Sequence, residues 1–147
     1  MKTLFSILVF LAFTITALAQ SEVFGTKEGA INGYDPVAYF TEGKPVVGKK
    51  EISLMWKEQI WYFSSTENRD AFKANPEKYE PQFGGYCAYG MSRGYKAKTD
   101  AEAWTIADGK LYLNYNLDVR KTWSEKQSEL IDKANKNWPS VKNSPMK

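Results

Sequence analysis

The chain has 147 residues, with 20 Lys and Arg against 17 Asp and Glu, and 15% of its side chains are aromatic. So many large rings exclude a wholly disordered chain and fit one compact domain. With one cysteine and no histidine, the chain holds no internal disulfide, no multi-cysteine zinc site, no His-ligated metal and no Ser-His-Asp or Cys-His catalytic unit.

Residues 1–19 read as a secretory signal peptide. Lys2 is the only charge, an apolar run extends from Leu4 to Leu18, and Ala17-Leu18-Ala19 precedes Gln20. The run is shorter than the roughly 20 residues a spanning helix needs. The expected product is exported to a periplasm or the cell exterior, with no stable membrane insertion after cleavage near Ala19. Its nearly balanced charge argues against a nucleic-acid partner. Residues 20–28 read as a flexible polar arm, 29–138 as the folded domain and 139–147 as a disordered polar tail.

Asn32-Gly33-Tyr34-Asp35-Pro36 gathers turn formers, and Val37-Ala38-Tyr39-Phe40 after it reads as a short strand. Ile52 to Trp56 alternates and Ile60 to Phe63 is β-rich, which predicts a hairpin around Lys57-Glu58-Gln59. Ser64-Ser65-Thr66-Glu67 reads as a capping box, with the Ser64 hydroxyl accepting from the Glu67 amide. A helix over about 65–74 follows, burying Ala71 and Phe72, and Pro76 opens a short second one. Phe83, Tyr86, Cys87 and Met91 fall at helical spacing, although Gly84, Gly85 and Gly90 each weaken a helix by about 1 kcal/mol. Asp108-Gly109 between Trp104–Ala107 and Lys110–Leu113 predicts a type I′ hairpin, with Ile106 opposite Leu111 and Trp104 opposite Leu113. Asn116 then caps a last helix whose stripe is Val119, Trp123, Leu130, Ala134 and Trp138, ended by Pro139. The predicted fold class is α+β: a small antiparallel sheet of two hairpins packed against several short helices and one long C-terminal helix.

The motifs GYDPVAYF at 33–40, WYFSS at 61–65 followed by Phe72 and Asn75-Pro76-Glu77-Lys78-Tyr79, GGYCAYG at 84–90 and AWTIADGKLYLNYN at 103–116 resemble the YHS domain family in its exported bacterial branch. The resemblance covers roughly residues 29–138. Metal-binding relatives have cysteines at the places of Ala38, Ser64 and Glu67. The resemblance therefore implies that Phe63, Phe72, Pro76 and Tyr79 carry the scaffold, while the thiolates of the usual metal site are replaced.

Cys87, between Gly85-Tyr86 and Ala88-Tyr89, is the one thiol. At a helix start it would favour the thiolate, as a nucleophile or redox centre resolved by an external thiol. With Met91 four residues on, it would offer two soft sulfur ligands, which suit copper as Cu(I), and Met55 is a conceivable third. Against both stands ordinary burial, the commonest fate of cysteine and methionine. The rings of Tyr34, Tyr39, Trp61, Tyr86, Tyr89, Tyr95, Trp104, Tyr112 and Tyr115 raise a binding cleft for a small ligand, Tyr34, Tyr86 and Tyr89 above all, against their ordinary use as core and rim of a small domain. Asp35 is either a ligand or base there, or bonds the backbone of its own turn. The leading reading is a non-enzymatic exported binding module with its site around Cys87, for a small ligand or a soft metal ion. A thiol redox protein and a structural or interaction domain are the alternatives.

Overall fold

The computed structural model describes residues 21–147, so the signal-peptide assignment lies outside the described residues. Among those described, no helix is long and apolar enough to cross a membrane. The fold is α+β: three small antiparallel ladders, two left-handed turns and six helices.

The segment from Ser21, expected as a loose arm, is built into the fold. Val23 and Phe24 are buried, and β1 (Gly25–Thr26) pairs with β2 (Gly29–Ala30). A left-handed turn follows, with φ of 45° at Ile31, 58° at Asn32 and 80° at Gly33. The expected strand at Val37 to Phe40 is instead a helical turn, α1 (Ala38–Thr41). Its N-terminus is held by Asp35, whose Oδ1 accepts from the amides of Val37 at 2.8 Å and Ala38 at 3.2 Å.

β3 (Lys49–Trp56) and β4 (Gln59–Phe63) form the first hairpin. Its turn is Lys57-Glu58 alone, both left-handed, so Trp56 pairs with Gln59 and Leu54 with Trp61. Ser65, rather than Ser64, caps α2 (Thr66–Ala74) by accepting from the Asn68 amide at 3.1 Å. The Glu67 carboxylate accepts from the Thr66 hydroxyl instead of reaching back. Asn75 caps α3 (Pro76–Tyr79). The helical spacing read from Phe83 to Met91 is broken, because Phe83, Gly84 and Gly85 form a second left-handed turn. Only then does α4 (Ala88–Ser92) begin, with Cys87 as its N-cap.

β5 (Trp104–Ala107) and β6 (Lys110–Leu113) pair in the predicted register around Asp108-Gly109. The two long hairpins stay separate ladders rather than one sheet and are joined through side chains. β6 divides the interior by simple alternation. Leu111 and Leu113 enter one cluster with Trp61, Phe63 and Phe72, while Tyr112 enters another with Met91, Trp123 and Ala134.

Asn116 caps α5 (Leu117–Glu125) as expected, accepting from the Val119 amide at 2.8 Å. The single long helix is interrupted at Lys126, whose φ is −132°, and resumes as α6 (Gln127–Val141). Pro139 lies inside α6. Expected to end the helix, it falls in the last turn, where it forgoes one intrahelical bond and the helix stops two residues later, and Trp138 beside it packs into the second cluster. The tail, expected to be disordered, lies back on the domain. The Lys147 amide donates to the Lys96 carbonyl at 3.1 Å, and its ammonium lies 5.5 Å from the Tyr95 ring.

Candidate functional site

Alternation along β6 carries on to Asn114, on the same side as Tyr112 and facing α4. Its Oδ1 accepts from the Tyr89 amide at 3.0 Å and from the Cys87 thiol at 3.5 Å. The Cys87 sulfur in turn accepts from the Gly90 amide at 3.4 Å. The thiol thus takes the place a serine hydroxyl takes at many helix starts. Cys87 is only 2% exposed and Met91 is fully buried, while Met55 is 63% exposed on the outer face of the first hairpin. The three sulfurs therefore share no opening. Among the described residues, no group of three or more His, Cys, Asp or Glu side chains is placed to hold a metal ion.

Burial pushes the Cys87 thiol up from its usual range, and backbone donors from Gly90, Tyr115 and Tyr89 offset this only in part. That is the reverse of what a reactive thiolate needs. Native protein is expected to react with iodoacetamide only at the rate at which it unfolds. Cys87→Ala should lower stability by about 1–2 kcal/mol through loss of the cap. Alkylation at the rate of a free peptide thiol would overturn this placement.

Burial also raises the hydroxyl pKa of Tyr39, Tyr86 and Tyr112. In each case the fold favours the protonated form, whereas the unfolded chain ionises at about 8.5 for Cys and about 10 for Tyr. Above those values the unfolded state holds fewer protons, so stability falls as pH rises. Burial lowers the pKa of Lys96, which acts in the opposite sense. It is one group against four. Thermal melts are expected to hold their midpoint up to about pH 8.5 and then fall, with a later onset in Cys87→Ser. A midpoint that rises through this window would contradict the burial of these groups.

Asp35 is fully buried and its carboxylate is filled from within. Besides the two α1 amides on Oδ1, its Oδ2 accepts from the Ser64 amide at 2.8 Å, the Ser64 hydroxyl at 2.7 Å and the Asn68 side-chain amide at 2.8 Å. It is therefore a tie between α1, β4 and α2, not an exposed ligand or base. Two of the places assigned to thiolates by the YHS resemblance, Ala38 and Ser64, meet at this carboxylate, while Glu67 points outward.

Tyr86 is also withdrawn from any ligand. Its hydroxyl donates to the Ser21 carbonyl at 3.1 Å, its ring packs on Phe24, and the buried Lys96 ammonium lies 4.7 Å above it. Tyr89 is half-buried, away from the cleft described next, with Arg93 against its ring. A cavity of about 120 Å³ beside Glu22, Glu80 and Trp138 has its charged lining residues engaged in ion pairs. There Lys57 lies 3.2 Å from Glu80 and 3.7 Å from Glu22, and Lys142 lies 3.4 Å from Glu22.

Among the described residues one open feature is a cleft of about 620 Å³, bounded by the β1 end, the first left-handed turn, residues 98–101, Tyr115 and Met146; smaller open hollows lie along α5, one lined by Leu117, Arg120 and Glu125 and one by Tyr89, Asp118 and Thr122. Of the residues expected around Cys87 the cleft contains Tyr34 alone, and of the further rings read as cleft-forming it contains Tyr115. Asn32 stands at its rim in a left-handed conformation, with its side-chain amide donating to the Thr99 carbonyl at 3.1 Å. The Asp100 carboxylate is fixed by the Glu102 amide at 2.9 Å. The Lys98 ammonium lies 5.5 Å from the Tyr115 ring, and that ring is 42% exposed. No protein-family model matches the chain, and no curated protein or solved structure matches it. The reading of the cleft therefore stands on its geometry.

Sequence reasoning passed over Lys98 and Asp100 because residues 93–103 carry no periodic pattern. Asn32-Gly33 beside Tyr34 was the available signal. Asparagine and glycine are the residues that best tolerate left-handed backbone, and such backbone gathers at functional sites.

Proposed function

We propose that the chain is a non-catalytic binding module, on a scaffold of YHS type, whose ligand-contacting surface is the cleft between Tyr34 and Tyr115. The observation that carries this reading is the meeting, in one open cleft, of an exposed aromatic ring with positioned polar groups of both charges. Binding sites combine apolar surface with a few fixed polar groups in this way. The strained backbone at Ile31, a β-branched residue at φ 45°, supports it, since such a residue costs about 1–3 kcal/mol and persists only where its surroundings hold it. The sealed thiol supports a site elsewhere than Cys87. The filling of Asp35 by hydrogen bonds fits a YHS-type scaffold that has exchanged its metal site for a structural tie.

The test is a titration of isotope-labelled protein with pooled polar and aromatic small molecules, read by amide chemical shifts. Shifts are expected at residues 24–26, 32–34, 98–101 and 115, with residues 87–91 unmoved. Two outcomes would move the site to the sulfurs and defeat the reading. One is a set of shifts confined to 87–91. The other is Cu(I) held against a competing chelator by the natural protein and lost by Cys87→Ser.

A further inference from the structure

Resting on that reading of the cleft, we infer that its ligand is a neutral oligosaccharide. Three features of the cleft narrow the class. First, it is wide and open, and its lining mixes polar with apolar side chains. A lipid or other wholly apolar ligand needs walls that enclose most of its surface, and none are present here. Second, its charge is balanced. Among the described residues, Lys98 and Asp100 are its only charged lining residues. A phosphate or polyanion calls for clustered cations with no carboxylate among them, and an acidic or basic peptide calls for the opposite excess. Third, its polar groups are planar and held in place. The Asn32 amide is anchored on Thr99 and the Asp100 carboxylate on Glu102.

A sugar ring presents a flat face of C–H groups and an edge of hydroxyls, each both donor and acceptor. The Tyr115 ring, 42% exposed and with the Lys98 ammonium 5.5 Å from its centroid on one side, would offer the side left open to the sugar face, and its phenol adds a polar handle at the ring's end. Anchored amide and carboxylate groups suit adjacent hydroxyl pairs, because a positioned acceptor or donor loses little freedom on binding. Lys98 lies against Tyr115 and adds a donor at the same wall. The volume is that of a drug-sized ligand, enough for a few sugar rings in a row.

The experiment titrates the protein with maltotriose, cellotriose and triacetylchitotriose, and in parallel with inorganic phosphate and a tyrosine-containing dipeptide. Amide shifts are the readout. At least one trisaccharide is expected to move Asn32, Asp100 and Tyr115 and to saturate. Tyr115→Ala is expected to weaken that sugar about tenfold, and Tyr115→Phe much less. Tyr115 is exposed, so its variants should melt with the natural protein, and their melts check this. Shifts in the cleft by phosphate or the dipeptide but by no sugar would overturn the saccharide assignment and leave the cleft as a binding site. Silence of the cleft to every probe would remove both. Sugar binding unchanged by Tyr115→Ala would also overturn the proposal.

Discussion

Replacing Asp35 by alanine is expected to lower the free energy of unfolding by about 3–5 kcal/mol, a large share of the 5–15 kcal/mol that holds a typical domain. The substitution removes one acceptor group and strands five donors. The Ser64 hydroxyl and Asn68 amide are only partly buried and can turn to water. The amides of Val37 and Ala38 cannot, since both residues are buried, and each orphaned buried donor costs about 1–3 kcal/mol. Asp35→Asn keeps the shape but turns an NH2 group toward donors on one side, so it is expected to lose about half as much. Urea melts of the two variants check this ordering. Sugar or fragment binding, measured under conditions where the variants remain folded, should be unchanged, because Asp35 does not reach the cleft. An Asp35→Ala protein as stable as the natural one would show that the carboxylate is not the tie between α1, β4 and α2.

The same residue shows where sequence reasoning ends. Val37 to Phe40 reads as a strand from its residue types. It becomes a helical turn because a carboxylate two residues earlier caps it, and that carboxylate is held in turn by Ser64 and Asn68, about thirty positions away. The second hairpin was legible to the residue because Asp108-Gly109 accepts left-handed backbone locally and a two-residue turn sets the register. The first hairpin has a turn of the same shape built from Lys57 and Glu58. No local preference announces it. Lys57 is held there by Glu22, Glu80 and the Trp56 ring, 4.5 Å away. The site follows the same division. Tyr34 stands beside readable turn formers. Lys98 and Asp100 lie in an irregular segment placed by distant partners: the Asp100 amide donates to the Asn114 carbonyl, and the Tyr39 hydroxyl donates to the Ala101 carbonyl. Cys87 drew attention as a lone thiol, but its capping role depends on Asn114, which no spacing rule connects to it.

Gly84→Ala is expected to be the most damaging single-methyl change in the chain, at about 3–5 kcal/mol. Two effects combine at this position, and a control separates them. Gly84 has φ of 63°, where any L-residue carries a penalty of about 1–2 kcal/mol. Beyond that, the added methyl would overlap the backbone carbonyl of Glu22. The obstacle is main chain, so no rotamer change relieves it, and the Ser21–Phe24 segment must lift away. Lifting it breaks the bond from the Phe24 amide to the Gly84 carbonyl at 2.9 Å. It exposes Val23 and Phe24, each worth about 1.5–3 kcal/mol when buried. It also takes the Ser21 carbonyl from the buried Lys96 ammonium, which donates to it at 3.1 Å. Gly109 is the control: its φ is 71°, but an added Cβ there meets nothing within 4 Å. Gly109→Ala should therefore show the backbone penalty alone, about 1–2 kcal/mol. If the two alanine variants melt together, the close approach of residue 22 to residue 84 is not a constraint on the fold. If they separate as expected, Gly84→Ala should also become sensitive to proteolysis across residues 21–28 and lose cleft binding. The lifted segment carries Phe24, which is part of the wall against which the ligand would rest.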